Sequence, residues 1–87
     1  MLRRKVVLDG VDCMKAKGAA LFVFKSSGFI SEIYLSNNER TANGKSLLSV
    51  ISMMLKKGDE VTVITDGVDE AEALDAMCEF LSNVTDV

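Results

Sequence analysis

Short apolar segments follow one another along this chain, some spaced every second residue and others every third or fourth, in an order that limits the fold more than any single motif. Residues 2–8 contain Val6, Val7 and Leu8 and read as a strand; residues 9–14, with Gly10 and Asp12, read as a loop. From Ala16, apolar residues at 16, 19, 20 and 23 follow a helical stripe that stops near Ser26, Ser27 and Gly28. Ile30, Ile33 and Leu35 alternate with polar residues and predict a second strand. Asn37 and Asn38 supply a turn, and residues 40–43 return as a short third strand. Ser46 is a good cap for a helix over residues 47–55, closed by Lys56, Lys57 and Gly58. Residues 59–65 form a β-branched strand. Asp69 and Glu72 then read as a capping box opening a helix whose stripe is Leu74, Met77, Cys78 and Leu81.

The resulting order is β-α-β-β-α-β-α. Each predicted helix has one apolar face, so the layer rule gives an α+β fold, a four-stranded, mostly antiparallel sheet with three helices on one face. Val6, Ala20, Val23, Ile33, Leu35, Val61, Val63, Leu74 and Leu81 are the expected core. Within it, Leu48, Ile51 and Leu55 are expected to face inward and Leu47 outward, about 100° around the helix. Glu32, Tyr34 and Thr62 belong on the open sheet face.

Composition bounds the remaining possibilities. Eighty-seven residues, 48% hydrophobic, with six Gly and no Pro, suit one compact domain over residues 1–87. The apolar run at 19–24 is far too short to span a bilayer, and Val6, Val7 and Leu8 after the basic residues are too few for a signal peptide, so a cytoplasmic protein without membrane attachment is expected. Cys13 and Cys78 lie far apart in a chain with no histidine, which removes most zinc and redox arrangements; no metal and no cofactor is expected. Cys13 reads as a loop thiol and Cys78 as a core residue. The same lack of histidine excludes His general bases, His-paired nucleophiles and phosphohistidine. All ten cations fall within residues 1–57, and residues 58–87 are purely acidic, which implies one basic and one acidic surface. Without interleaved aromatics, it does not indicate nucleic-acid binding.

The element order, together with Lys45-Ser46-Leu47-Leu48, Lys57-Gly58-Asp59-Glu60-Val61-Thr62-Val63 and Asp66-Gly67-Val68-Asp69-Glu70-Ala71, resembles the HPr family, the small phosphocarriers of the bacterial sugar phosphotransferase system. The resemblance covers nearly the whole chain and implies an open-faced β-sandwich. Family members open their first helix with roughly G-[IL]-H-A-R-P-A, the histidine carrying the phosphoryl group. This chain has Cys13-Met14-Lys15-Ala16-Lys17-Gly18-Ala19, placing Lys15 at the histidine, Lys17 at the arginine and Gly18 at the proline. An exposed lysine is protonated and not nucleophilic, and Lys17 lacks the planar fork that grips phosphate. The resemblance therefore implies a non-enzymatic, Crh-like member with a degenerate catalytic loop.

In many Gram-positive members the serine matching Ser46 is phosphorylated by an HPr kinase/phosphorylase, and the product binds a catabolite-control repressor. The resemblance implies the same switch here. It also implies a docking patch at Lys45, Leu47, Leu48 and Ile51 for that repressor or for phosphotransferase-system components. Two alternatives stay open: a module that holds a protein partner without ever being phosphorylated, and a phosphoryl carrier using another nucleophile such as Cys13 or Asp12. The sequence leaves monomer or dimer undecided.

Overall fold

The computed structural model describes residues 1–8, 16–38, 40–56 and 58–82. Within them the order is β1 (Leu2–Val7), α1 (Ala16–Ser26), β2 (Glu32–Asn37), β3 (Arg40–Asn43), α2 (Leu47–Ser52), β4 (Glu60–Asp66) and α3 (Glu70–Ser82). The strands form one sheet in the order β1-β4-β2-β3, antiparallel at every pair. Only β2 and β3 are joined by a tight turn, where Asn38 takes a positive φ of 57°. Asn tolerates that conformation because its short polar side chain can bond the local backbone.

Period-two alternation sets the sheet's two faces. Ile33, Leu35, Val61 and Val63 point into the core beneath the helices, and Glu32, Tyr34, Thr62 and Ile64 lie on the other face. Burial raises the Tyr34 phenol above its ordinary pKa, with Glu32 beside it adding to the effect. Leu74, Met77, Cys78 and Leu81 bury the predicted stripe of α3, and Val6 and Val23 pack against the core from its margin.

Three expectations are corrected. Ala20 is exposed, and α1 buries Ala19 and Phe22 instead. Because α1 is apolar nearly all round, side-chain size decides its rotation: burying Phe22 is worth about 1.5–3 kcal/mol, well above what the single methyl of Ala20 offers. α2 ends at Ser52, not Leu55; Met53 closes it and Met54 adopts a left-handed φ of 53°. That reversal leads the chain out of the helix, so Leu55 reaches the core from a loop while Leu48, expected inside, is 80% exposed.

The third concerns Asp69. Its carboxylate accepts from the backbone N–H of Ile30 and Ser31, both at 2.9 Å, and from the Ser31 hydroxyl, so it clasps the entry of β2 where a capping box had been expected. The hydroxyl and amide bonds hold its pKa at about 2, below the ordinary 3.8. A depressed carboxylate adds stability that is complete above its unfolded pKa and is lost as pH falls through its folded one. Thermal melts of the wild type should therefore weaken as pH drops from about 4 to about 2. Asp69→Asn should melt lower at pH 7 and respond less over that window. Parallel pH profiles of the two proteins would refute the clasp.

Candidate functional site

α1 and α2 pack side by side, and the corner leading into α2 is fastened to the end of α1. Gly44 N–H donates to the Ile33 carbonyl at 2.6 Å, and the buried Ser26 hydroxyl donates to the Gly44 carbonyl at 2.6 Å. Asn43 Oδ1 accepts from Lys45 N–H at 2.9 Å. The Lys45 ammonium crosses to the Phe29 carbonyl at 2.6 Å. This corner delivers Ser46 as the N-cap of α2 in extended conformation (φ −112°, ψ 114°), its hydroxyl oxygen accepting from Ser49 N–H at 3.4 Å. That contact is long for a cap. Ser46 itself is half-buried.

Beyond Ser46, Leu47 is 41% and Leu48 80% exposed, Ile51 is half-buried against the core, and Val50 is the residue α2 buries completely. Val50 and Ile51 turn the inner face of α2 to the core, and Leu48, about 200° around the helix from Val50, lies on the outer face. α1 adds a surface that period counting did not single out. Lys17, Ala20, Leu21 and Phe24 recur at helical spacing and are all exposed, Phe24 to 81%. The available signal was the apolar surplus of residues 19–24, since a helix packed on one side cannot bury residues on every side.

Gly18 is half-buried in the first turn of α1, next to exposed Lys17. Lys15, Cys13 and Asp12 lie outside the described residues. Among the described residues, the segment from α1 to Lys56 carries Lys17, Lys25, Arg40, Lys45 and Lys56, and its acid, Glu32, sits on the open sheet face. α3 instead presents Glu72, Asp75 and Glu79. Asp75 pairs with Arg4 of β1 at 3.0 Å. The acids of α3 and the cations of residues 16–56 thus lie on different elements, while Arg4 of β1 stands beside α3.

Cys78 is buried, and burial pushes its thiol above the ordinary value, away from the nucleophilic thiolate. No group of three or more His, Cys, Asp or Glu side chains among the described residues could hold a metal. No helix among them is long and apolar enough to cross a membrane.

The sequence model of the PTS HPr component phosphorylation site matches residues 2–83. The chain belongs to the HPr family. It is similar to HPr-like protein Crh of Halalkalibacterium halodurans and of Bacillus subtilis, 33% identical to each over 81 residues, which cover 93% of this chain and 96% and 95% of those proteins. It is also 29% identical over 82 residues to the phosphocarrier protein HPr of Neisseria meningitidis, covering 94% of this chain and 92% of that one. Among solved structures, HPr of Bacillus anthracis superposes with a TM-score of 0.90 at 28% identity, over 93% of this chain and 96% of that one. The Bacillus subtilis catabolite-repression protein Crh, solved as a dimer with a swapped domain, superposes with a TM-score of 0.74 at 33% identity, over 93% of each chain. The open-faced HPr architecture and Crh-like character expected from the sequence are therefore established. This chain has Ser46 as the N-cap of α2 and no histidine anywhere.

Proposed function

We propose that this chain is a regulatory HPr-family protein that does not relay phosphoryl groups from phosphoenolpyruvate and is switched by phosphorylation of Ser46 in carbon catabolite control. The observation that carries this reading is a capping serine whose hydroxyl, among the described residues, accepts one long contact, beside exposed Leu47 and Leu48. A hydroxyl so weakly engaged can be phosphorylated without dismantling a buried network, and the added charge of about −1.5 to −2 alters the surface next to two apolar contacts. The protein acts as a substrate and binding partner, not as a catalyst. Its proposed partners are an HPr kinase/phosphorylase and a catabolite-control repressor, with phosphotransferase-system components as competitors, in the cytoplasm.

Leu47 and Leu48 are the proposed docking contacts. Ile51, half-buried, supports them from beneath. Exposed Leu21 and Phe24 extend the apolar surface along α1, and Lys17 occupies the end of that stripe. Leu48→Ser is expected to weaken repressor binding at least tenfold while leaving the melting temperature nearly unchanged, because an exposed side chain contributes little to folding. Calorimetric titration beside a thermal melt checks both halves.

The primary test is mass spectrometry after incubation with ATP and the kinase from the same organism. Wild type should gain one phosphate and Ser46→Ala none. The long contact places the cap's loss at the low end of the usual range of about 0.5–2 kcal/mol, so Ser46→Ala should remain folded. Equal phosphorylation of both proteins would move the site elsewhere. An unmodified wild type that still binds its partner would favour the non-phosphorylated module.

A further inference from the structure

The resemblance placed Lys45 among the partner-binding cations, but its ammonium is already engaged. It donates to the Phe29 carbonyl at 2.6 Å, a short, charge-assisted bond between the residue preceding Ser46 and the turn that follows α1. The turn is anchored on both sides. Ser26, at the end of α1, bonds Gly44 of the same corner, and Ile30 and Ser31 are held by Asp69. Phe29 packs partly against the core, and its neighbour Ile30 is largely exposed. The Lys45 contact thus ties the Ser46 corner to a short surface segment that ends in an exposed apolar residue.

We propose that Lys45 is a positioning residue with two alternative acceptors, the Phe29 carbonyl when Ser46 is unmodified and the phosphate when it is phosphorylated, so that modification of Ser46 is also read at Phe29 and Ile30. The inference rests on the reading of Ser46 as a phosphorylation site. Consecutive Cα atoms stand about 3.8 Å apart, within reach of a flexible four-carbon stem that carries three rotatable donors. A carbonyl offers the ammonium only a dipole. A phosphate of charge about −1.5 to −2 offers a full ionic partner and wins the competition. When the ammonium transfers, the Phe29 carbonyl passes to water and Phe29 loses its own tie to the Ser46 corner, while the Ser26–Gly44 bond remains. The segment free to respond is bounded by Ser26 and by the Asp69 clasp.

The test installs phosphoserine at position 46 of the full chain during translation, so no kinase is needed. Failure of the kinase experiment would count against the natural modification and leave this result standing. Carbonyl-carbon and amide NMR resonances of Phe29 and Ile30 are compared in wild type and Lys45→Met, each with serine or phosphoserine. Phosphoserine should shift the wild-type Phe29 carbonyl upfield, toward its position in unmodified Lys45→Met, and should leave it unmoved in the Lys45→Met background. Lys45→Gln keeps a neutral donor for Phe29 and serves if the methionine variant does not fold; phosphoserine should leave Phe29 in place there too. A Phe29 carbonyl that does not respond in wild type, or responds equally without the Lys45 ammonium, overturns the proposal.

Discussion

Incubation with enzyme I and phosphoenolpyruvate is expected to leave the intact mass of this chain unchanged. Histidine relays phosphate through an unprotonated ring nitrogen at neutral pH, and this chain has none. The resemblance gives that position to Lys15, and lysine amines in general are protonated at neutral pH and not nucleophilic. Restoring histidine alone should recover little, because Lys17 cannot grip phosphate oxygens bidentately and Gly18 gives up the preset φ of proline at the helix start. Acid-labile phosphate on the wild type would defeat the expectation. Full relay activity in Lys15→His would show that the arginine and proline positions matter less than argued.

A large effect on stability is expected from a single methyl group at Gly44. A Cβ on Gly44 would sit 2.8 Å from Ile33 Cγ2 and 2.9 Å from the Ile33 carbonyl oxygen, and Ile33 is completely buried. Neither can retreat. The carbonyl also receives the Gly44 N–H, and the same corner carries the Ser26 and Lys45 bonds. Gly44→Ala should cost about 3 kcal/mol, at the upper end of overpacking penalties, and lower the melting temperature by roughly 12–24 °C for a domain of this size. Gly28→Ala is the control, since its Cβ would meet only the Lys25 carbonyl at 3.3 Å. Similar melting temperatures for the two variants would show that the Gly44 corner can relax.

The contrast between these glycines also marks where sequence reading reaches its limit. Strand alternation and the stripe of α3 are legible because each element has a single core-facing side, and residue type follows that side closely, as in Ile33, Leu35, Val61 and Val63. α1 is not legible in the same way. With apolar residues on nearly every side, its orientation is decided by which large side chain fits the core, and Phe22 outcompetes the Ala20 stripe. The end of α2 is hidden for another reason, because Met54 takes a left-handed conformation without the Gly or Asn that usually announces one. Leu48 is consequently placed outside, where it serves the proposed docking surface better than the expected core position would have done. Asp69 resembles an N-cap in sequence, but its partners are Ile30 and Ser31, contributed by a distant segment that local spacing cannot reveal. The Ser46 cap is legible because it is local: a hydroxyl one residue ahead of a helix.

The strand order carries a consequence for the newborn chain. Of the four strands β1 is made first, yet the described sheet pairs it only with β4, Val6 opposite Val61, so its backbone waits until β4 has been synthesised. β2 likewise finds β3 at once but completes its other edge only when β4 arrives between it and β1. On the ribosome, the β2–β3 hairpin is the one part of the sheet that can form early. The remainder must wait for the strand Glu60–Asp66, so most of the sheet rests on long-range pairing rather than on neighbouring segments.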